Sequence, residues 1–151
     1  MNTEPARKAL DKRFATLPAA EALEPPHRGW IRAIRDALGM TSAQMARRMG
    51  VTQPRVSKLE KAELTGAVTL ASLEKAADAL GCTLVYLLVP REPLEQTIHN
   101  RAQQKARQEL GRVQHTMALE DQATDQSVLV DELNKLTQHY EQDLRGLWNE
   151  G

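Results

Sequence analysis

The chain has 151 residues, and its 20 basic and 20 acidic side chains leave no formal net charge at neutral pH. Its single cysteine, Cys82, excludes an intramolecular disulfide, no apolar run approaches the length of a membrane span, and Met1–Arg13 lacks the apolar stretch of a signal peptide. Aromatic residues make up only 3% of the chain, so a core has to be assembled from Leu, Ala, Met, Ile and Val, and the composition predicts a mainly α, cytoplasmic protein.

The neutral total hides an asymmetry. Residues 1–64 carry twelve basic against seven acidic side chains, a net charge of +5, and residues 92–151 carry six against eleven, a net charge of −5. Phosphate is attracted to the front of such a chain and repelled by its back, which points to two different partners.

From the N-terminus, Thr3-Glu4-Pro5 reads as a helix start. Ala6, Leu10, Phe14 and Leu17 then recur at helical spacing, with Arg7, Lys8, Lys12 and Arg13 on or near the polar side. This helix is either a basic arm that adds phosphate contacts or an element that packs on the body. Pro18 and Pro25-Pro26 predict an extended linker after it. Trp30, Ile31, Ile34 and Leu38 form the expected buried face of the next helix, which Gly39 ends.

Met40–Glu60 carries the strongest signal. Thr41 can cap a helix whose apolar stripe is Met45, Ala46 and Met49, and Gly50 can end it in the left-handed conformation. Thr52 can cap a second helix, with Pro54 in the first turn, where its missing N–H is harmless. Val56 and Leu59 face inward, leaving Gln53, Arg55, Ser57 and Lys58 outward. Two short helices joined by a tight glycine turn, the second with a polar, basic outer face, have the geometry that enters a DNA major groove. Gln pairs with adenine edges, Arg and Lys pair with guanine edges, and hydroxyls and N–H groups at a helix start suit phosphate. Arg47 and Arg48 line the phosphate-facing rim or are merely solvated. A solvated face in a helical bundle is the bland alternative for the whole stretch.

This pattern resembles the Cro/repressor-type, or XRE, helix-turn-helix family over about residues 30–80, through Gln44-Met45-Ala46-Arg47-Arg48-Met49-Gly50-Val51 and Val56-Ser57-Lys58-Leu59-Glu60. The resemblance implies a lambda-repressor-like domain in which Glu60 pairs with Arg35. It also implies that Gln53, Arg55 and Lys58 read bases while Ser42 and Ser57 contact phosphates, with Thr52 beside them. Pro54 departs from the polar residue often found at its position and offers only apolar contact, such as to a thymine methyl.

Ala62–Val68 reads as a loop, after which Thr69 caps a helix that buries Leu70, Leu73, Ala76, Ala77 and Leu80 and stops at Gly81. Cys82 reads as a small buried hydrophobe. Thr83–Pro90 is β-prone, and a lone strand needs a partner. It is either the same strand of a second copy or the buried tail of the preceding helix. The first option resembles helix-turn-helix antitoxins whose dimer is completed by a short strand, and it implies recognition helices about 34 Å apart on a palindromic operator. Pro93 opens a further helix, with Leu94, Ile98, Ala102, Ala106, Leu110, Val113 and Met117 on one face. A final helix carries Leu129, Leu133, Leu136, Tyr140, Leu144 and Leu147, with Trp148 near its end. These helices either offer a surface to a protein partner or pack on each other, on the domain or across a dimer.

The expected organisation is an N-terminal helix and linker (1–29), a helix-turn-helix domain (30–82), a dimerisation strand (83–90) and a C-terminal helical extension (91–151). Catalysis is not expected. His27, His99, His115 and His139 fall at no metal-ligand spacing, and the sequence has no phosphate loop or nucleophile motif. No cofactor and no metal are expected. The layout is also similar to a family called mobile mystery protein A, through Trp30-Ile31-Arg32, Arg55–Glu60 and the 83–90 segment followed by Arg91-Glu92-Pro93-Leu94. That resemblance implies an antitoxin-like autorepressor beside a Fic-domain protein. Fic inhibitors often carry a helix reading Ser/Thr-x-x-x-Glu-Gly/Asn. Thr137–Glu141 and Thr116–Glu120 match its first half, but Gln142 and Asp121 break its ending.

Overall fold

The structure, a computed structural model, describes residues 2–119 and 125–150. All regular secondary structure of these residues is helical: α1 (Glu4–Phe14), a short 3-10 turn (Ala20–Leu23), α2 (Trp30–Ala37), α3 (Ser42–Met49), α4 (Gln53–Thr65), α5 (Leu70–Ala79), α6 (Leu94–Leu119) and α7 (Gln126–Gln142). They fall into two units, Pro18–Leu88 and Met1–Leu17 with Val89–Gly151.

In the first unit, helix ends follow local chemistry. At α3, the Thr41 hydroxyl accepts from the Gln44 N–H, and Gln44 Oε1 accepts from the Thr41 N–H, a reciprocal cap. Gly50 closes the helix at φ +67°, a conformation costly to residues with a Cβ. Thr69 caps α5 by accepting from the Ser72 N–H. Helix α2 is capped from a distance. The Glu63 carboxylate on α4 accepts from the Trp30 N–H at 2.7 Å and from the Ile31 N–H at 3.1 Å. An anion there also faces the positive end of the helix dipole.

The core of this unit is aliphatic and sulfur-bearing. Ile31, Met45, Ala46, Val56, Ala76 and Leu80 are buried, and Met49, Leu59, Leu73 and Cys82 pack around them. Several expectations need correction. Trp30, Leu38 and Leu70 are 45%, 57% and 49% exposed. Ile31 and Ile34 already occupy the inner face of the two-turn helix α2, and Trp30 is rotated about 100° from Ile31. Leu38 lies past the end of that helix, and Leu70 is the first residue of α5. The loop expected at Ala62–Val68 is shorter, since α4 continues to Thr65 and stops at Gly66 in the left-handed conformation. Thr83–Pro90 forms no strand and has no regular secondary structure. A strand exists through its ladder of hydrogen bonds, and the described residues contain no second strand to supply them.

The second unit joins the chain's two ends. Asp11 on α1 accepts from the Leu94 N–H (2.7 Å) and the Glu95 N–H (3.1 Å), so α6 is capped by a residue more than eighty positions away. Arg7 pairs with Glu95 at 3.1 Å. Helices α6 and α7 form an antiparallel hairpin, in which His99 Nδ1 lies 2.6 Å from Glu141 Oε1. Ile98, Ala102 and Leu147 are buried against Tyr140 and Leu144. The final helix is shorter than expected, since it ends at Gln142 and Leu147 reaches the core from the turn that follows. Arg101 Nε holds that turn by donating to the Leu147 carbonyl at 3.0 Å. Glu120 lies outside the described residues.

Candidate nucleic-acid interface

Helix α4 is anchored from beneath. Val56 is fully buried and Glu60 nearly so, and the two lie one helical turn apart on the same face. Glu60 Oε1 accepts from Arg35 Nε at 2.6 Å, and Arg35 Nη1 donates to the Met40 carbonyl at 2.9 Å. Only 11% of either paired side chain is exposed. The hydrogen bond to Glu60 raises the guanidinium pKa above its ordinary value, and burial opposes this more weakly.

With the inner face occupied, α4 leaves Gln53, Pro54, Arg55, Ser57 and Lys58 exposed. Among the described residues Arg55 and Lys58 make no ion pair, so their charge is available to a ligand. Gln53 Nε2 donates to Ser42 Oγ at 2.9 Å, which joins the starts of α3 and α4. Thr52 is exposed at the N-cap position of α4, but its side chain makes no capping bond. Its hydroxyl is therefore free for a phosphate oxygen. Arg47 is exposed on α3. Arg48 is differently engaged, because its Nε donates to the Ala79 carbonyl at the end of α5, at 2.6 Å.

Sequence reading missed two features. Glu63 follows Val56 and Glu60 at helical spacing on the inner face of α4, and that spacing was the available signal. Lys75 lines a cavity together with Arg55 and Lys58, and nothing local to Lys75 reveals this.

Residues 31–87 match the family model described as helix-turn-helix. Helices α2–α5 thus form a helix-turn-helix domain of the Cro/XRE type, and the match supports a DNA-binding transcriptional regulator. It does not extend to α1, α6 or α7. No curated protein and no solved structure matches the chain. Among the described residues, no helix is long and apolar enough to cross a membrane, and no cluster of three or more His, Cys, Asp or Glu residues is placed to hold a metal ion.

Proposed function

We propose that this protein is a non-catalytic, sequence-specific regulator that binds a palindromic operator as a homodimer and represses transcription, its own included, in the manner of an antitoxin. The observation that carries this reading is the division of α4 into a buried face fixed by Val56 and Glu60 and an exposed face of Gln53, Pro54, Arg55, Ser57 and Lys58. A rigidly held helix that presents an amide, a guanidinium and an ammonium suits base edges in the major groove. Dimerisation is supported by Val85, Tyr86 and Leu88, which are 73%, 69% and 88% exposed. Such a β-prone apolar segment gains both hydrogen bonds and burial by pairing with a second copy.

A second activity fits the α6–α7 hairpin, which exposes Val113, Val128 and Val130. It would neutralise a protein partner, for which a Fic-domain protein is the candidate. Glu141, after release from His99, or Glu120 would be its inhibitory residue.

The test is a titration against DNA from upstream of the protein's own gene and against scrambled DNA, at two salt concentrations. A preference of about a thousandfold or more establishes sequence reading. Equal, steeply salt-dependent binding reduces the interaction to phosphate attraction.

A further inference from the structure

A cavity of about 260 Å³ lies beside the recognition helix, between α4 and the start of α5. Its lining is chemically divided. Met49, Val51, Leu59 and Val68 supply an apolar floor, and Arg55, Lys58 and Lys75 bring three positive charges to it. Among the described residues, no carboxylate is part of the lining and none of the three cations makes an ion pair. The hydroxyl-bearing residues Thr69 and Ser72 complete the wall.

DNA phosphates would use the charges but gain nothing from the apolar floor. A ligand with an aliphatic body and an anionic head uses both. The volume lies just below the range of about 300–1,000 Å³ typical of pockets for drug-sized ligands, so the occupant is small. We propose that this cavity binds a small amphipathic anion, a carboxylate or phosphate ester with a short aliphatic chain, and that its binding opposes DNA binding because Arg55 and Lys58 serve both. Only the second half rests on the DNA-binding reading. The cavity itself is a property of the folded domain.

The experiment titrates the full chain, without DNA, with hexanoate and hexyl phosphate, using hexanol and inorganic phosphate as controls, and follows binding by calorimetry and amide NMR shifts. Each buried methylene contributes about fourfold in affinity, so both hexyl anions bind at least about tenfold more tightly than inorganic phosphate. Ala67→Leu, which fills the cavity from its wall, removes this binding. Lys75→Gln weakens the anions by about two- to fivefold and leaves hexanol unchanged. With operator DNA present, the hexyl anions raise the apparent Kd for wild type and not for Ala67→Leu.

Hexyl phosphate binding no more tightly than inorganic phosphate overturns the site, as does undiminished binding in both variants. Tight binding that leaves operator affinity unchanged overturns the regulatory half. Absence of operator binding in the ligand-free protein would defeat the DNA-binding reading together with that half, while the direct titration still decides the site.

Discussion

Glu60 and Arg35 meet at 2.6 Å beneath the recognition helix, and through Arg35 the carboxylate is tied to the Met40 carbonyl at the corner before α3. One guanidinium therefore fixes three segments. Glu60→Ala would leave the mostly buried Arg35 guanidinium with only Asp36, at 3.1 Å, and the Met40 carbonyl as partners, a change that costs about 2–3 kcal/mol. Arg35→Met combined with Glu60→Leu removes both charges and should cost less than either single truncation. Thermal unfolding of Glu60→Ala, Arg35→Ala and the double variant checks this order, and a single variant that melts like wild type would refute the role of the pair.

Gly29 sits at φ +81°, and a Cβ there would lie 2.8 Å from Glu63 Oε2. The carboxylate has little freedom to move aside while it caps α2 through the Trp30 and Ile31 N–H groups. Gly29→Ala should therefore incur left-handed strain and disturb the cap, about 2–3 kcal/mol together. Glu63→Gln keeps an acceptor and should lose less, about 1 kcal/mol. Equal denaturation midpoints for Gly29→Ala and wild type would contradict this account.

Parts of this fold were legible because their causes are local. Thr41, Gly50 and Thr69 act on groups within a few residues, so the boundaries of α3 and the start of α5 could be read directly. The α2 cap comes from Glu63 and the α6 cap from Asp11, residues brought near only by the finished fold. Trp30 misled because an aromatic side chain at a helix start suggests burial, yet a core of Met, Ile and Ala side chains closes without it. Leu147 misled in the other direction, since its three-residue spacing from Leu144 is helical but the buried side chain belongs to a turn. On the candidate interface, the spacing identified the outward residues of α4, while the convergence of Lys75 with Arg55 and Lys58 depends on how α5 packs.

Arg55→Ala and Lys58→Ala should each weaken operator binding by about 1–3 kcal/mol at a base-reading position, or lower the salt slope by about one if the contact is to phosphate. Both side chains are exposed and make no ion pair among the described residues, so melting temperatures should stay near wild type. Arg48→Ala should behave oppositely. Loss of its hydrogen bond to the Ala79 carbonyl should lower stability by about 1 kcal/mol. Paired titrations and melts separate the two classes.

The exposed run at Val85, Tyr86 and Leu88 makes dimerisation testable apart from DNA chemistry. Leu88→Glu places a charge where the proposed strand pairing buries an apolar side chain. In sedimentation, the wild type should be a dimer and the variant should shift toward monomer, with operator affinity falling and the melting of the single domain kept. A monomeric wild type, or an unaffected variant dimer, would remove this segment from the interface.

Tyr140 supplies a prediction in pH. Its hydroxyl donates to Glu109 Oε2 at 2.7 Å. Ionisation would set a phenolate against a carboxylate, so the hydrogen bond, with burial and charge repulsion adding to it, raises the tyrosine pKa above its ordinary value of 10.0. A raised folded-state pKa means that the protonated form is favoured by folding. The contribution is fully present below about pH 10 and is lost as pH rises through the raised value. Tyr140→Phe should cost about 0.5–1 kcal/mol near neutral pH, a modest figure because the contact is solvent-exposed. The cost should vanish at strongly alkaline pH, where wild type and variant converge. The difference between ultraviolet titrations of wild type and Tyr140→Phe isolates the Tyr140 phenolate step, which should lie above the ordinary tyrosine value. A Tyr140 step at the ordinary value would rule out the Glu109 contact in solution.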